Sequence, residues 1–187
     1  MILKYFILIF KMDLDVLLHI FEYLDNYKKI VESTVLSKSI SSVVKFHNWY
    51  IPANIDTIDN LNYILNNFKF KNLNIRNCST LITDNDAEKL GNCYSLDLSF
   101  CYKITDKSVE KLGNCRILNL SFCYQITDES VEKLGNSLYL NLSNCDKITD
   151  KSVEKLTNCR TLCLYGCDKI TIECINKLKE NGCNVIV

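Results

Sequence analysis

The most regular feature of the chain is a pattern of apolar positions that recurs every 22 residues. Four stretches align without a gap: GNCYSLDLSFCYKITDKSVEKL (91–112), GNCRILNLSFCYQITDESVEKL (113–134), GNSLYLNLSNCDKITDKSVEKL (135–156) and TNCRTLCLYGCDKITIECINKL (157–178). A fifth copy, FKNLNIRNCSTLITDNDAEKL (70–90), carries one extra residue after Cys78, and CNVIV (183–187) predicts a final strand. Internal repetition of this period indicates units that stack on one another.

Within each repeat, the L-x-L step predicts a strand and the I-T-D step predicts the start of a short helix. Leu96 and Leu98 share one face of the strand, while the residue between them points to the other face. Thr105 is a candidate N-cap, and Asp106 complements the positive end of the helix dipole. Gly113 then supplies a helix-ending residue that tolerates left-handed backbone. The unit is therefore strand, loop, short helix and tight return.

A single unit of this kind cannot bury its own apolar face, whereas stacked units share a continuous core. Stacked strands lie about 4.8 Å apart, but packed helices need about 8–10 Å. The array must therefore curve, with its strands on the concave side. The fold predicted for residues 70–187 is α/β, a leucine-rich-repeat solenoid shaped as a curved horseshoe of strand-loop-helix units.

Charge narrows the classes of partner. The chain has 22 basic and 22 acidic residues, which argues against a nucleic-acid binder that depends on phosphate contacts. Hydrophobic residues make up 48% of the chain, which argues against a disordered polyelectrolyte.

All eleven cysteines fall between Cys78 and Cys183, and they have two interpretations. Closely spaced thiolates attract zinc, and the candidate ligands are Cys159, Cys163, Cys167 and Cys174. Alternatively the thiols stack in two buried columns: Cys78, Cys101, Cys123, Cys145 and Cys167 after the strands, and Cys93, Cys115 and Cys159 before them, with Ser137 replacing one thiol. Regular recurrence is what stacking demands, so we expect structural, reduced thiols and no metal.

No catalytic constellation stands out in the sequence. His19 and His47 both lie outside the repeats and have no paired nucleophile at a recognisable spacing. The Glu-Lys pairs at 88–89, 110–111, 132–133 and 154–155 keep one position in the repeats, which is typical of a solvated convex surface. We therefore expect a protein that is not an enzyme and needs no cofactor.

The part of the chain before the repeats has a different character, with a boundary expected near residue 50. Residues 12–50 predict a small all-α module, and residues 51–69 a degenerate linking helix whose apolar positions run from 55 to 68. Residues 1–11, MILKYFILIFK, form an apolar extension that is too short to span a bilayer. A start of translation at Met12 would remove it.

The segment MDLDVLLHIFEYL (12–24) resembles the opening helix of the F-box, whose form is L-P-x-E-hydrophobic-L-x-x-I-F-x-x-L. Met12, Asp13 and Asp15 stand at the Leu, Pro and Glu positions, and the apolar residues that follow match in register. Further on, VLSK (35–38) is similar to the third F-box helix. The repeats separately resemble the cysteine-containing subfamily of leucine-rich repeats, which is commonly joined to an N-terminal F-box.

The two resemblances imply a substrate receptor of an SCF-type ubiquitin ligase. The F-box helix would dock a Skp-family adaptor of the cullin ligase, and the array would hold a target protein that the sequence does not identify. The residues implied in adaptor docking are Leu14, Val16, Leu17, Ile20, Phe21 and Leu24. The expected compartment is the cytoplasm or the nucleus. Richness in Asn, Lys, Ile and Tyr suggests an AT-rich genome, such as that of a protist or a large DNA virus.

Curved repeat arrays usually bind on their concave face, and the outward positions of that face follow from the L-x-L steps. They are Asn72, Asn74, Arg76, Ser95, Asp97, Ser99, Ile117, Asn119, Ser121, Tyr139, Asn141, Ser143, Thr161, Cys163 and Tyr165. The residues expected to bind the target are Arg76, Asp97, Asn119, Tyr139, Asn141 and Tyr165. Tyr and Arg lead this set because they are favoured interface anchors.

Two other functions remain open at the level of the sequence. One is a stand-alone repeat scaffold or inhibitor in which the F-box is degenerate. The other is a membrane-associated or secreted repeat protein, which requires residues 1–11 to be translated and used as an anchor or signal.

Overall fold

The computed structural model describes residues 48–54, 69–75 and 79–187, which form one parallel sheet with helices following its strands. Its seven strands pair in chain order: β1 (Asn48–Asn54), β2 (Lys69–Asn74), β3 (Ser95–Asp97), β4 (Ile117–Asn119), β5 (Tyr139–Asn141), β6 (Thr161–Cys163) and β7 (Asn184–Ile186). The helices of this part are α1 (Asp84–Ala87), α2 (Asp106–Val109), α3 (Asp128–Val131), α4 (Asp150–Val153) and α5 (Ile172–Glu180). None of them has the length and apolar character to cross a bilayer. The expected extension, the F-box-like segment and residues 55–68 of the expected linking helix lie outside the described residues. The remaining residues of that predicted helix, 51–54 and 69, belong to strands β1 and β2 instead.

The repeat units fold as the L-x-L and I-T-D patterns predict. Leu96 lies opposite Leu118 in the neighbouring strand, and Leu118 lies opposite Leu140, so the repeats stack with no change of register. These leucines are buried in one core together with the isoleucine of each I-T-D step. The final strand predicted from CNVIV is β7, which pairs with β6.

Strand β1 is a difference from the sequence prediction, because it crosses the boundary expected near residue 50. It pairs in parallel with β2, and the pairing shifts between Trp49 and Pro52. The run NWYI (48–51) is rich in aromatic and β-branched residues, which favour strands. Pro52 is compatible with this position because β1 is the outermost strand among the described residues and its register is irregular.

Each short helix begins at the threonine of its I-T-D step. The Oγ1 atom of Thr105 accepts a hydrogen bond from the backbone N–H of Lys107 at 3.3 Å, as expected for an N-cap. Thr127 and Thr149 cap α3 and α4 in the same way. After a single α-turn, the chain tightens into a 3₁₀ turn at Glu88–Leu90 and Glu110–Leu112.

The aspartate of each I-T-D step ties its repeat to the next one. One carboxylate oxygen of Asp128 accepts from the backbone N–H of Thr149 at 2.8 Å, and the other accepts from the Thr149 hydroxyl at 2.6 Å. The same two-fold contact joins Asp84 to Thr105, Asp106 to Thr127 and Asp150 to Thr171. We call these four pairs the Asp–Thr clamps. The aspartate therefore bonds across the repeat boundary, in addition to lying in the first turn of its own helix.

The clamps alter the titration of their carboxyl groups. Burial by itself would raise the pKa of the Asp128 carboxyl, but hydrogen bonds from Ser152 and Thr149 outweigh it, so the pKa lies below its usual value. The pKa of Asp84, Asp106 and Asp150 is lowered by the same balance. A lowered native-state pKa contributes stability above the unfolded-state pKa of about 4, and this contribution is lost as the pH falls through the native value.

The glycines that end the helices act differently from the sequence prediction. Gly91 and Gly113 have right-handed backbone, with φ of −59° and −57°, so no left-handed position explains them. Glycine is required at these positions because the backbone of the next repeat approaches closely. A Cβ atom on Gly91 would lie 2.5 Å from the carbonyl oxygen of Lys111, and one on Gly113 would lie 2.9 Å from that of Lys133. At Gly135 the corresponding distance relaxes to 3.6 Å, and Thr157 follows at the next repeat.

The described cysteines are buried free thiols. The Sγ atoms of Cys123, Cys145 and Cys167 donate to the carbonyl oxygens of Leu98, Leu120 and Leu142 at 3.1–3.3 Å. Burial raises the pKa of Cys93 and Cys115 to about 12, which keeps both thiols protonated. In the described part of the chain no three His, Cys, Asp or Glu side chains come close enough to hold a metal ion.

The glycine geometry predicts opposite outcomes for two identical substitutions. Gly91→Ala forces a methyl group into the Lys111 carbonyl and should lower the free energy of unfolding by about 1–3 kcal/mol. Gly135→Ala meets only an ordinary contact and should be neutral or stabilising by up to about 1 kcal/mol. Urea denaturation of both variants measures the difference, and equal effects would contradict the close-approach explanation.

The clamps predict a pH-dependent effect of Asp128→Asn. The amide nitrogen cannot accept a hydrogen bond, so the variant should lose about 1–2 kcal/mol of stability at pH 7. The Asp128 carboxylate also causes part of the stability that wild type loses in acid. The difference in unfolding free energy between wild type and the variant should therefore shrink as the pH falls toward about 3. The control is Asp146→Asn, an exposed aspartate outside the clamps, whose unfolding curves should match wild type at both pH values.

Candidate protein-interaction face

The outward positions of β3 to β6 form two rows, because the pairing register places equivalent residues side by side. The first row runs Ser95, Ile117, Tyr139 and Thr161, and the second runs Asp97, Asn119, Asn141 and Cys163. We keep the name concave face for these rows together with Tyr165. Arg76 and the six adaptor-docking residues lie outside the described residues, so their positions stay predictions.

Three of the residues expected to bind a target have a structural contact of their own. The Oδ1 atoms of Asp97, Asn119 and Asn141 accept from the backbone N–H two residues later, at 2.9, 3.1 and 2.9 Å. These side chains are half-buried and hold the turn that follows each strand. In the described part of the chain, the amide nitrogens of Asn119 and Asn141 are left without an internal acceptor, so both can donate to a ligand.

The third outward position of each repeat is less exposed than L-x-L periodicity predicts. Ser99 and Ser121 are only 3% and 7% exposed. By this point the chain has left the strand and turned inward, so alternation no longer applies. Ser143 is half-buried at the same position, and Tyr165 in the last repeat is 66% exposed.

Large side chains are exposed on adjoining strands of the concave face. Ile117 and Tyr139 lie directly opposite each other on β4 and β5 and are 39% and 36% exposed. The Tyr139 hydroxyl accepts a hydrogen bond from the Cys163 thiol on β6 at 3.7 Å. This hydrogen bond and partial burial raise the pKa of Tyr139, so the hydroxyl remains a neutral donor.

Four aromatic rings from two successive repeats form a block beside the concave face. The rings of Phe100 and Phe122 stack at 4.5 Å between centroids, and those of Tyr102 and Tyr124 stack at 5.6 Å. Within each repeat the Phe and Tyr rings meet edge to face at 6.3 Å. Phe100 and Phe122 hold the same position of successive repeats, so stacking of the repeats brings their rings together.

The phenylalanines of this block hold left-handed backbone, with φ of 63° at Phe100 and 62° at Phe122. The equivalent residues in the next two repeats are Asn144 and Gly166, with φ of 59° and 71°. Asn and Gly adopt this conformation readily, whereas other residues rarely do. The appearance of Asn and Gly at one position of the alignment was the signal that could have revealed the turn.

The chain is similar to known proteins built from leucine-rich repeats. The Leucine Rich repeat family matches residues 116–135 and 138–156. The structure of internalin C2 from Listeria monocytogenes is 21% identical, with a TM-score of 0.49 over 71% of this chain and 56% of that one. The structure of the Rad7 and Elc1 complex in yeast is 17% identical, with a TM-score of 0.54 over 68% of this chain and 40% of the matched chain. No curated protein sequence matches the chain.

The chain thus spans about half of the internalin chain and less of the yeast one. The matched repeats and the likeness to the yeast structure show that the array has the leucine-rich-repeat fold.

The left-handed turn predicts how Phe122 responds to substitution. Phe122→Asn relieves the backbone but loses the stack on Phe100, so the two effects of about 1 kcal/mol each should nearly cancel. Phe122→Val loses the stack and adds a β-branched residue at positive φ, so it should be less stable than Phe122→Asn by at least about 1 kcal/mol. Equal unfolding free energies of the two variants in urea would contradict this account of the turn.

Proposed function

We propose that this leucine-rich-repeat protein is an interaction adaptor that binds a target protein on its concave face. The observation that carries the proposal is the group of exposed large side chains, Ile117, Tyr139 and Tyr165, on adjoining repeats. Tyrosines held on a stacked sheet bury large area at little cost in conformational entropy, and such residues act as interface anchors. The amides of Asn119 and Asn141 lie beside them and supply hydrogen-bond donors.

We further propose that the adaptor is a substrate receptor of an SCF-type ubiquitin ligase. The support is the sequence of residues 12–24, which resembles the opening helix of the F-box and precedes the repeats in the order expected for such receptors. Its apolar positions would bind a Skp-family adaptor and so bring the cullin ligase to the target. The protein has no catalytic role of its own in this proposal, and it acts in the cytoplasm or nucleus, where the buried thiols stay reduced.

The alternative is a stand-alone binding scaffold or inhibitor. In that case the concave face binds its target in the same way, and the N-terminal helix covers the open end of the array instead of an adaptor. Adaptor binding therefore separates the two functions.

Pulldown of a purified Skp-family adaptor by the full chain tests the receptor role. Leu17→Asp and Phe21→Asp place a charge on the apolar side of the F-box-like helix and should each reduce capture at least about tenfold. Glu22→Gln, at a polar position of the same helix, is the control and should bind like wild type. Failure of folded wild-type protein to capture the adaptor would leave the scaffold function in its place.

A further inference from the structure

The charges of this neutral chain are unevenly distributed between the two sides of the repeats. In the alignment of the repeats, the sheet side corresponds to the stretch from two residues before the first apolar residue of the L-x-L step to the cysteine that follows, over 71–78, 94–101, 116–123, 138–145 and 160–167. These stretches contain four basic residues, Lys71, Arg76, Arg116 and Arg160, and one acidic residue, Asp97. All three arginines of the chain are among them, although lysine is far more abundant overall. The sheet side is therefore net positive, and the rest of the chain is net negative.

Three of these cations line the edge of the sheet where the strands begin, and we call Lys71, Arg116 and Arg160 the basic edge. Arg116 and Arg160 immediately precede β4 and β6, and Lys71 holds the equivalent register position inside the longer strand β2. The three cations therefore recur on every second strand, about 10 Å apart. Lys71 Nζ donates to the carbonyl oxygen of Asn92, and Arg116 Nη1 donates to that of Asn136, both at 2.9 Å. Each contact holds a long side chain against the turn of the next repeat, which reduces the entropy that binding would cost.

Several lysines of the helical side form ion pairs that join neighbouring repeats. Lys107 pairs with Glu88, Lys155 with Glu132, and Lys177 with Glu154, so each contact joins one repeat to the next. In the described part of the chain, no carboxylate forms an ion pair with a member of the basic edge. Arg116 and Arg160 are exposed, and the single contact of Arg116 leaves most of its five N–H donors available.

We propose that the basic edge binds an acidic segment of the target protein in an extended conformation. Guanidinium groups match carboxylates in a bidentate geometry, which favours carboxylate partners for Arg116 and Arg160. A polyproline-II segment returns each third side chain to one face after about 9.3 Å, close to the spacing of the basic edge. The segment would therefore carry an acidic residue at every third position. This inference rests on the proposed protein-binding role and adds the chemistry of the target.

The test measures binding of labelled peptides to the full-length protein by fluorescence anisotropy. The probe is a peptide of about 15–20 residues that repeats Glu-Pro-Ser. The control peptide has the same composition but carries its glutamates in one block. Wild type should bind the repeating peptide at about 50 mM salt and lose affinity steeply by about 300 mM, since exposed charges are screened. Arg116→Gln combined with Arg160→Gln should weaken binding at least about tenfold.

The control removes the same charge from the helical side. Lys89→Gln combined with Lys111→Gln changes two exposed lysines that form no ion pair with a described carboxylate, and it should change affinity less than twofold. Equal weakening by both double variants would overturn the proposal, because binding would then follow net charge alone. Equal affinity for the repeating and blocked peptides would overturn it as well, and so would tighter, arginine-dependent binding of single-stranded RNA or anionic vesicles.

The adaptor pulldown separates this inference from the receptor role. If the adaptor is captured but the Glu-Pro-Ser peptide does not bind, the acidic segment is wrong and the receptor role stands. If the peptide binds through Arg116 and Arg160 but the adaptor is not captured, the acidic segment stands and the protein is a scaffold.

Discussion

The Asp–Thr clamps are the contacts on which the remaining geometry depends. Each clamp satisfies two donors at the start of a helix with the carboxylate of the previous repeat, so it sets both the position and the rotation of one helix relative to the next. With that relation fixed, leucines meet leucines in the sheet, and thiols reach the carbonyl oxygens of the preceding repeat. The rows of the concave face and the spacing of the basic edge are consequences of the same repeated step.

Much of this fold could be predicted from the sequence because it depends on local periodicity. The L-x-L steps identify the strands and their buried faces, and the I-T-D steps identify the helix caps. The partner of each aspartate could not be found in this way, because it lies one repeat further along the chain. The glycines were assigned the wrong cause for a related reason: Gly91 is required by the backbone of a neighbouring repeat, which a single repeat does not contain. Strand β1 was missed because it lies outside the periodic region and includes a proline.

The candidate site could be predicted from the sequence about as far as the fold could. Alternation correctly places Ile117 and Tyr139 outward, but it fails at Ser99 and Ser121, where the chain has already turned. Alternation along a strand also does not predict the side-chain hydrogen bonds of Asp97, Asn119 and Asn141, because these bonds are made within the turn that follows the strand. The segregation of charge became visible only once residues from separate repeats could be assigned to one edge of the sheet.

The clamp also has a consequence for how such an array can evolve. Every internal unit offers a carboxylate forward and a threonine backward, so a duplicated unit finds partners on both sides wherever it is inserted. Duplication or loss of whole units would thus lengthen or shorten the array without disturbing its core. A gain or loss of part of a unit would leave buried groups unpaired and would be removed by selection. Ile172 replaces the aspartate in the ITI step of the last unit, so growth by duplication is favoured inside the array over growth beyond that unit.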